Sequence, residues 1–171
     1  MKLIAGLLDR LLFAAGLALF LQIPQFVDHY TQRLGGYRQS LTDAVAQYQR
    51  SADRHYGGDL DAMTSDFRVN DTPAMRDMGD KIFADRRKLD ELTRGLAVLQ
   101  QGHLGEKLWY LTLHVDLPVA RGTAEDFKPG LPLTMDALLS GLVGGLLASG
   151  LFNLLLWPLR ALSERRPNVR V

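Results

Sequence analysis

The chain has 171 residues, 47% of them hydrophobic, no cysteine, and 20 Lys+Arg against 19 Asp+Glu for a net charge of +1. The lack of cysteine excludes disulfides, thiolate metal sites and cysteine nucleophiles, and the near-neutral balance gives no support to nucleic-acid binding. Apolar residues are concentrated at the two ends and charges in the middle, the distribution of a chain anchored in a membrane.

Leu11 to Ile23 is apolar except for Gln22, and Leu3 to Leu8 extends the run backward across Asp9 and Arg10. A charge deep in lipid costs about 2.5–3.5 kcal/mol. Asp9 and Arg10 are therefore expected near the cytoplasmic headgroups, where Arg10 can snorkel. The first span then runs from about Leu8 to Val27, so that residues 1–27 hold a short cytoplasmic N-terminus and the first transmembrane helix. It includes Pro24, tolerated in lipid where a neighbour satisfies the carbonyl it frees. Residues 2–21 also have the basic start and apolar run of a signal peptide. No small-x-small cleavage site follows at Gln22, Ile23, Pro24 and Gln25, so an uncleaved anchor is expected.

Residues 28–136 are expected to form a water-soluble helical domain. Asp28 to Tyr56 continues the first helix, with Leu34, Leu41, Val45, Tyr48 and Ala52 near three-and-four spacing. Gly35-Gly36 weakens it and marks an expected bend; Gly57-Gly58 ends it. Asp59 caps a short helix to about Val69. Asp71-Thr72-Pro73 restarts the chain with cap residues followed by proline in the first turn. From Pro73 to Gln101, Met75, Met78, Ile82, Leu89, Leu92, Leu96 and Leu99 fall on a/d heptad positions, with Asp85 in the remaining seam position. Asp85 is expected to pair with an arginine or to lie partly exposed. Two helices of similar length joined by a short connector imply an antiparallel hairpin, with the leucine stripe as its seam or, alternatively, as a partner-binding coiled coil.

Glu106 to Leu117 is ambiguous, because Leu111, Leu113, Val115 and Leu117 alternate as in a strand; a short amphipathic helix is favoured. Trp109 and Tyr110 either complete the hairpin core, the preferred reading, or lie on the membrane surface. Pro118 to Phe127 reads as one more short helix, and Lys128 to Pro132 as a rigid loop. Ala137 to Trp157 carries no charge and covers roughly 31 Å as a helix, the thickness of a hydrocarbon core. Thr134 is its N-cap candidate, Asp136 suits its first turn, and Pro158 discourages its continuation.

Orientation follows from the tails. The first ten residues carry Lys2 and Arg10 against Asp9, and the tail at 158–171 carries Arg160, Arg165, Arg166 and Arg170 against Glu164. Both are basic, which places both termini in the cytoplasm and residues 28–136 in the periplasm. The fold expected is all-α, two transmembrane helices flanking a periplasmic helical hairpin domain.

Small residues recur in the second span. Gly141, Gly145 and Ser149 form one ridge and Ser140, Gly144 and Ala148 the next; Ala14 and Ala18 offer a counterpart on the first. This surface serves either an oligomer or partner interface, or the packing of the chain's own two helices. Asn153 is expected to face protein rather than lipid.

Chemical constellations are sparse. His55, Asp53, Asp59 and Asp61 cluster around the glycine turn and could hold a divalent metal. The structural reading is preferred, with His55 complementing a helix C-terminus and Asp59 acting as a cap. His29, His103 and His114 are isolated, and no nucleophile elbow, phosphate loop or zinc helix motif occurs. No catalytic, cofactor or metal residue is assigned.

LDRLLF at Leu8–Phe13, QIPQFVD at Gln22–Asp28, QRLGG at Gln32–Gly36, ADRHYGGDL at Ala52–Leu60 and FKPGLPLT at Phe127–Thr134 together resemble an uncharacterised, domain-of-unknown-function family of proteobacterial two-span inner-membrane proteins. The resemblance covers nearly the whole chain. It implies a two-span membrane protein and supplies no activity. The function expected is that of a non-enzymatic structural or accessory subunit, with the lipid bilayer and other inner-membrane proteins or copies of itself as partners. The alternatives are transport by a homo-oligomer with Asn153, Ser140 and Ser149 along the path, and a metal-dependent sensor or enzyme centred on His55.

Overall fold

The computed structural model describes the backbone of residues 2–130 and 132–164, and side chains within 4–130 and 132–157. Among these residues every regular element is an α-helix: α1 Lys2–His55, α2 Leu60–Arg68, α3 Pro73–Gln101, α4 Leu104–His114, α5 Leu117–Asp126 and α6 Met135–Glu164. The protein is all-α, as expected. The basic side chains of the tail, 158–171, lie outside the described ones.

Local signals account for most of the element ends. The Asp59 carboxylate accepts the Ala62 N–H at 2.8 Å and starts α2. Pro73 opens α3, where its missing N–H costs no helical bond. Thr134 Oγ1 accepts the Ala137 N–H at 3.2 Å at the head of α6. Gly57 (φ 61°) and Gly58 (φ 90°) take the left-handed conformation that closes α1. The ambiguous stretch before Leu117 is the helix α4. Its cap is His103, whose Nδ1 accepts the Glu106 N–H at 3.1 Å while the Glu106 carboxylate accepts the His103 N–H at 3.2 Å.

Helix α1 is continuous through Gly35-Gly36; two helical glycines cost about 2 kcal/mol, and the burial of Leu34 and Leu41 on either side offsets that. One local expectation fails. Helix α6 continues past Pro158 to Glu164; an interior proline removes one backbone bond and can kink a helix without ending it.

The chain forms two compact units, to both of which α1 contributes. One comprises the described residues up to Asp28 and from Asp126 onward; the other is His29–Glu125. The described residues of 126–134 fall in the same unit as the apolar helices.

In the His29–Glu125 unit, Tyr30, Leu34 and Leu41 of α1 are buried with Leu92, Leu96 and Leu99 of α3 and Val119 of α5. Ala52 is buried with Leu60 and Met63 of α2 and Ile82 of α3. Early α1 residues meet late α3 residues, so the two helices run antiparallel. The seam departs from the heptad at its start: Ile82, Leu92, Leu96 and Leu99 are buried and Leu89 packs beside them, but Met75 is half-buried and Met78 is exposed. Gly79 and Gly95 take the inward positions instead. A straight helix of 3.6 residues per turn drifts off a seven-residue repeat, and at Gly79 the backbone of α3 approaches Arg68 so closely that a Cβ would stand 2.8 Å from the Arg68 nitrogen.

Asp85 is partly exposed, as one of the two readings had it, and it pairs with a lysine rather than an arginine. Lys81 Nζ lies at 2.6 Å, and the Tyr48 hydroxyl donates to the same carboxylate at 2.9 Å. Trp109, expected in the core, is 69% exposed; Tyr110 is the residue that turns in, against Gly95.

Candidate functional site

The unit formed by the start of α1, the described residues of 126–134 and α6 has many of its large apolar side chains on the outside. Leu7, Leu11 and Leu19 of α1 and Leu146, Leu151, Leu154 and Leu155 of α6 are each more than half exposed. Both helices are long and apolar enough to cross a membrane, and only 6% and 17% of their most apolar windows is buried. A core helix of a soluble protein would bury most of such a window. A surface of this kind fits lipid as its solvent.

The two helices run antiparallel and meet through small residues of α6. A Cβ on Gly141 would stand 2.7 Å from Leu21 Cγ, and one on Gly145 2.7 Å from a Phe13 ring carbon. Gly144 and Ala148 receive Gly16, where a Cβ would stand 2.6 Å from the Gly144 carbonyl oxygen. The α6 residues singled out by their spacing therefore face α1 of the same chain. Ala14 and Ala18 do not face them: both are exposed. They lie two residues to either side of Gly16, which is about 200° around a helix and so on its far side.

Three polar contacts reinforce this packing. At one end, Asp9 Oδ1 accepts the Ser149 hydroxyl at 2.6 Å and the Asn153 amide at 2.9 Å. Asn153 also donates to the Ser149 carbonyl at 2.9 Å, so it faces protein. Asp9 lies opposite residues one and two turns before Trp157, the end of the apolar stretch of α6. Two donors aimed at one carboxylate oxygen offset the cost of taking it out of water.

In the middle, Pro24 has no N–H for the Phe20 carbonyl. The Ser140 hydroxyl stands 2.9 Å from that oxygen and 2.9 Å from its own Ala137 carbonyl. Ser140 thus belongs to the proline as well as to the small-residue ridge.

At the other end, two glutamines one turn apart hold the loop before α6. Gln22 Nε2 donates to the Gly130 carbonyl at 3.0 Å, and the Gly130 N–H lies 3.2 Å from the amide oxygens of both Gln22 and Gln25. Gln25 Nε2 donates to the Lys128 carbonyl at 3.1 Å, and the Phe26 and Phe127 rings meet edge-on at 5.7 Å. The QIPQF and FKPG strings, remote in sequence, therefore contact each other.

The turn around His55 is built differently from a metal site. Asp53 accepts from Gln49 at 2.9 Å, Asp59 is the α2 cap and Asp61 pairs with Arg86. Among the described residues no group of three or more His, Cys, Asp or Glu could hold a metal ion. His103 is a cap, and His114 stacks on Tyr110 at 4.8 Å.

Sequence reasoning placed Asp9 by its charge alone and missed its pairing with Ser149 and Asn153. The signal was depth: Asp9 is about as far along α1 from Phe20 as the Ser149–Asn153 pair is along α6 from Ser140. Once Pro24 and Ser140 are matched, the other group follows.

The chain belongs to the DUF2937 family of proteins of unknown function, whose model matches residues 4–165. No curated protein and no solved structure matches it.

Proposed function

We propose that this member of DUF2937 is a non-enzymatic structural or accessory subunit of the bacterial inner membrane, docking within the bilayer onto a larger complex or onto copies of itself. The observation that carries this reading is the second row of small residues on α1. Ala14 and Ala18 are exposed on a face that the chain's own α6 does not cover, and small residues one turn apart let another helix approach closely. The basic tails and the antiparallel run of the two helices support cytoplasmic termini and a periplasmic His29–Glu125 unit. Extraction from native membranes in mild detergent, followed by mass measurement, tests the reading. A particle heavier than one chain, reduced to one chain by Ala14→Leu with Ala18→Leu, is expected. A monodisperse single chain without co-purifying protein overturns it.

A second reading, permeation through a homo-oligomer, draws on Asp9. An ionisable side chain opposite Ser149 and Asn153 in an apolar span is the kind of group that lines ion and proton paths. Solute flux into vesicles holding the purified assembly separates the two: flux abolished by Asp9→Ala favours permeation, and no flux from an intact assembly rejects it.

A further inference from the structure

We infer that the exposed apolar face of α4 and the start of α5 is a docking surface for the lipid bilayer, on which Trp109, Leu113 and Leu117 enter the headgroup region. The inference rests on the membrane-spanning reading of α1 and α6. Helix α4 buries none of its residues completely. Trp109 and Leu113 lie one turn apart on its outer side at 69% and 61% exposure, and Leu117 beyond them is 70% exposed. Trp109 and Leu113 share one face of α4 and Leu117 follows three residues after α4 ends, so this stretch of chain shows large apolar side chains that mark an interaction surface.

Lipid is favoured because of where this surface is fastened. The Asp116 N–H, between α4 and α5, donates to the Tyr30 hydroxyl at 3.0 Å. Arg33 Nη1 donates to the Gly122 carbonyl of α5 at 2.9 Å. Tyr30 and Arg33 lie in the first turns of α1 after its apolar stretch ends at Val27, and a helical tyrosine side chain leans back toward the helix N-terminus. The junction carrying Leu117 is thus tied to the part of α1 nearest the span. Tryptophan suits this level, since its ring enters the apolar layer while its N–H keeps a polar partner. The surface carries no excess of cations, as Glu106 and Lys107 share α4 and Arg121 is paired with Glu125 at 3.0 Å. Docking therefore does not depend on anionic lipid.

Tryptophan fluorescence tests this, because the chain holds two tryptophans, Trp109 and Trp157. Trp157→Phe leaves Trp109 alone, and Trp109→Phe leaves Trp157 alone as a reporter of the span. Each variant is reconstituted full-length into phosphatidylcholine vesicles, with and without lipid brominated near the headgroup end of its acyl chains. The expected result is that bromolipid quenches Trp109, that acrylamide does not, and that Leu113→Glu with Leu117→Glu reverses both while helicity stays unchanged. If bromolipid quenches Trp157 but not Trp109, the span stands and the docking surface is overturned. Acrylamide access to Trp109 then marks a water-facing surface, and shielding from acrylamide marks cover by protein. If neither tryptophan is quenched by lipid, the membrane reading fails and the docking inference with it.

Discussion

The Ser140 hydroxyl stands 2.9 Å from the carbonyl oxygen of Phe20, the acceptor that Pro24 deprives of its helical donor. A serine on one apolar helix thereby completes the backbone of the other. Ser140→Ala is expected to destabilise the helix pair by about 0.6 kcal/mol and by no more than about 1.7, the average and the maximum for interhelical hydrogen bonds in a membrane protein. Pro24→Ala restores the missing N–H, so in that background Ser140→Ala should cost clearly less. Thermal melts of helicity in detergent for the four combinations measure the coupling. Equal costs in both backgrounds would show that the hydroxyl serves only its own Ala137 carbonyl.

At Asp9 the prediction concerns charge. Its Oδ1 receives both Ser149 and Asn153, and hydrogen bonds to an ionised acceptor are roughly twice as strong as neutral ones. Asn153→Leu is expected to cost about 1 kcal/mol in the native chain and less in an Asp9→Asn background, where the acceptor is neutral. The same melts supply this cycle, and additivity of the two substitutions would count against a carboxylate held by the amide.

These contacts mark how far the sequence can be read. The two long apolar helices, the caps at Asp59 and Thr134 and the start at Pro73 rest on signals close together in the chain, so they were legible. That the small residues of α6 share a face was also legible, because a spacing of four defines one; that this face meets α1 of the same chain was only one of two readings. Which residue meets that face was not legible. Gly16 rather than Ala14 or Ala18 depends on the rotation of α1 about its axis, which the apolar run 11–21 leaves open because it is apolar all round. Met78 yielded to Gly79 for a related reason: the seam follows the true helical period and the approach of α2. Trp109 was assigned to the core on hydrophobicity alone, and Tyr110 beside it takes that place through the space left by Gly95.

The loop before α6 is expected to depend on both glutamines together. The Gly130 N–H has an amide oxygen of Gln22 and one of Gln25 at equal distance, 3.2 Å, so either can accept it. Gln22→Leu or Gln25→Leu alone should slow or speed exchange of the Gly130 amide little. The double substitution should remove its protection, since about 1 kcal/mol per hydrogen bond is then lost with no substitute acceptor. Hydrogen exchange of the full chain in detergent reads this directly. Full loss of protection in either single variant would show that one glutamine acts alone.

The His29–Glu125 unit is expected to lose stability at alkaline pH, and the sign follows from six groups that all move in one direction. Burial pushes Tyr30, Tyr48 and Tyr110 above the ordinary tyrosine value of 10.0, and a hydrogen bond to Asp66 does the same for Tyr56. The hydrogen bond to Asp85 raises Lys81. Burial pulls Lys88 down, but its bonds to Asp116 and Glu91 outweigh that and leave it raised. A group that holds its proton more tightly when folded stabilises the fold fully below its unfolded value and loses that contribution as pH rises through its folded value. Stability should therefore hold from about pH 8 to 10 and fall above about 10, with tyrosinate absorbance appearing together with loss of helix. Tyr48→Phe removes one of the phenols and should blunt the fall. Tyrosinate formation well below the loss of helix would mean that the phenols titrate freely in the folded unit.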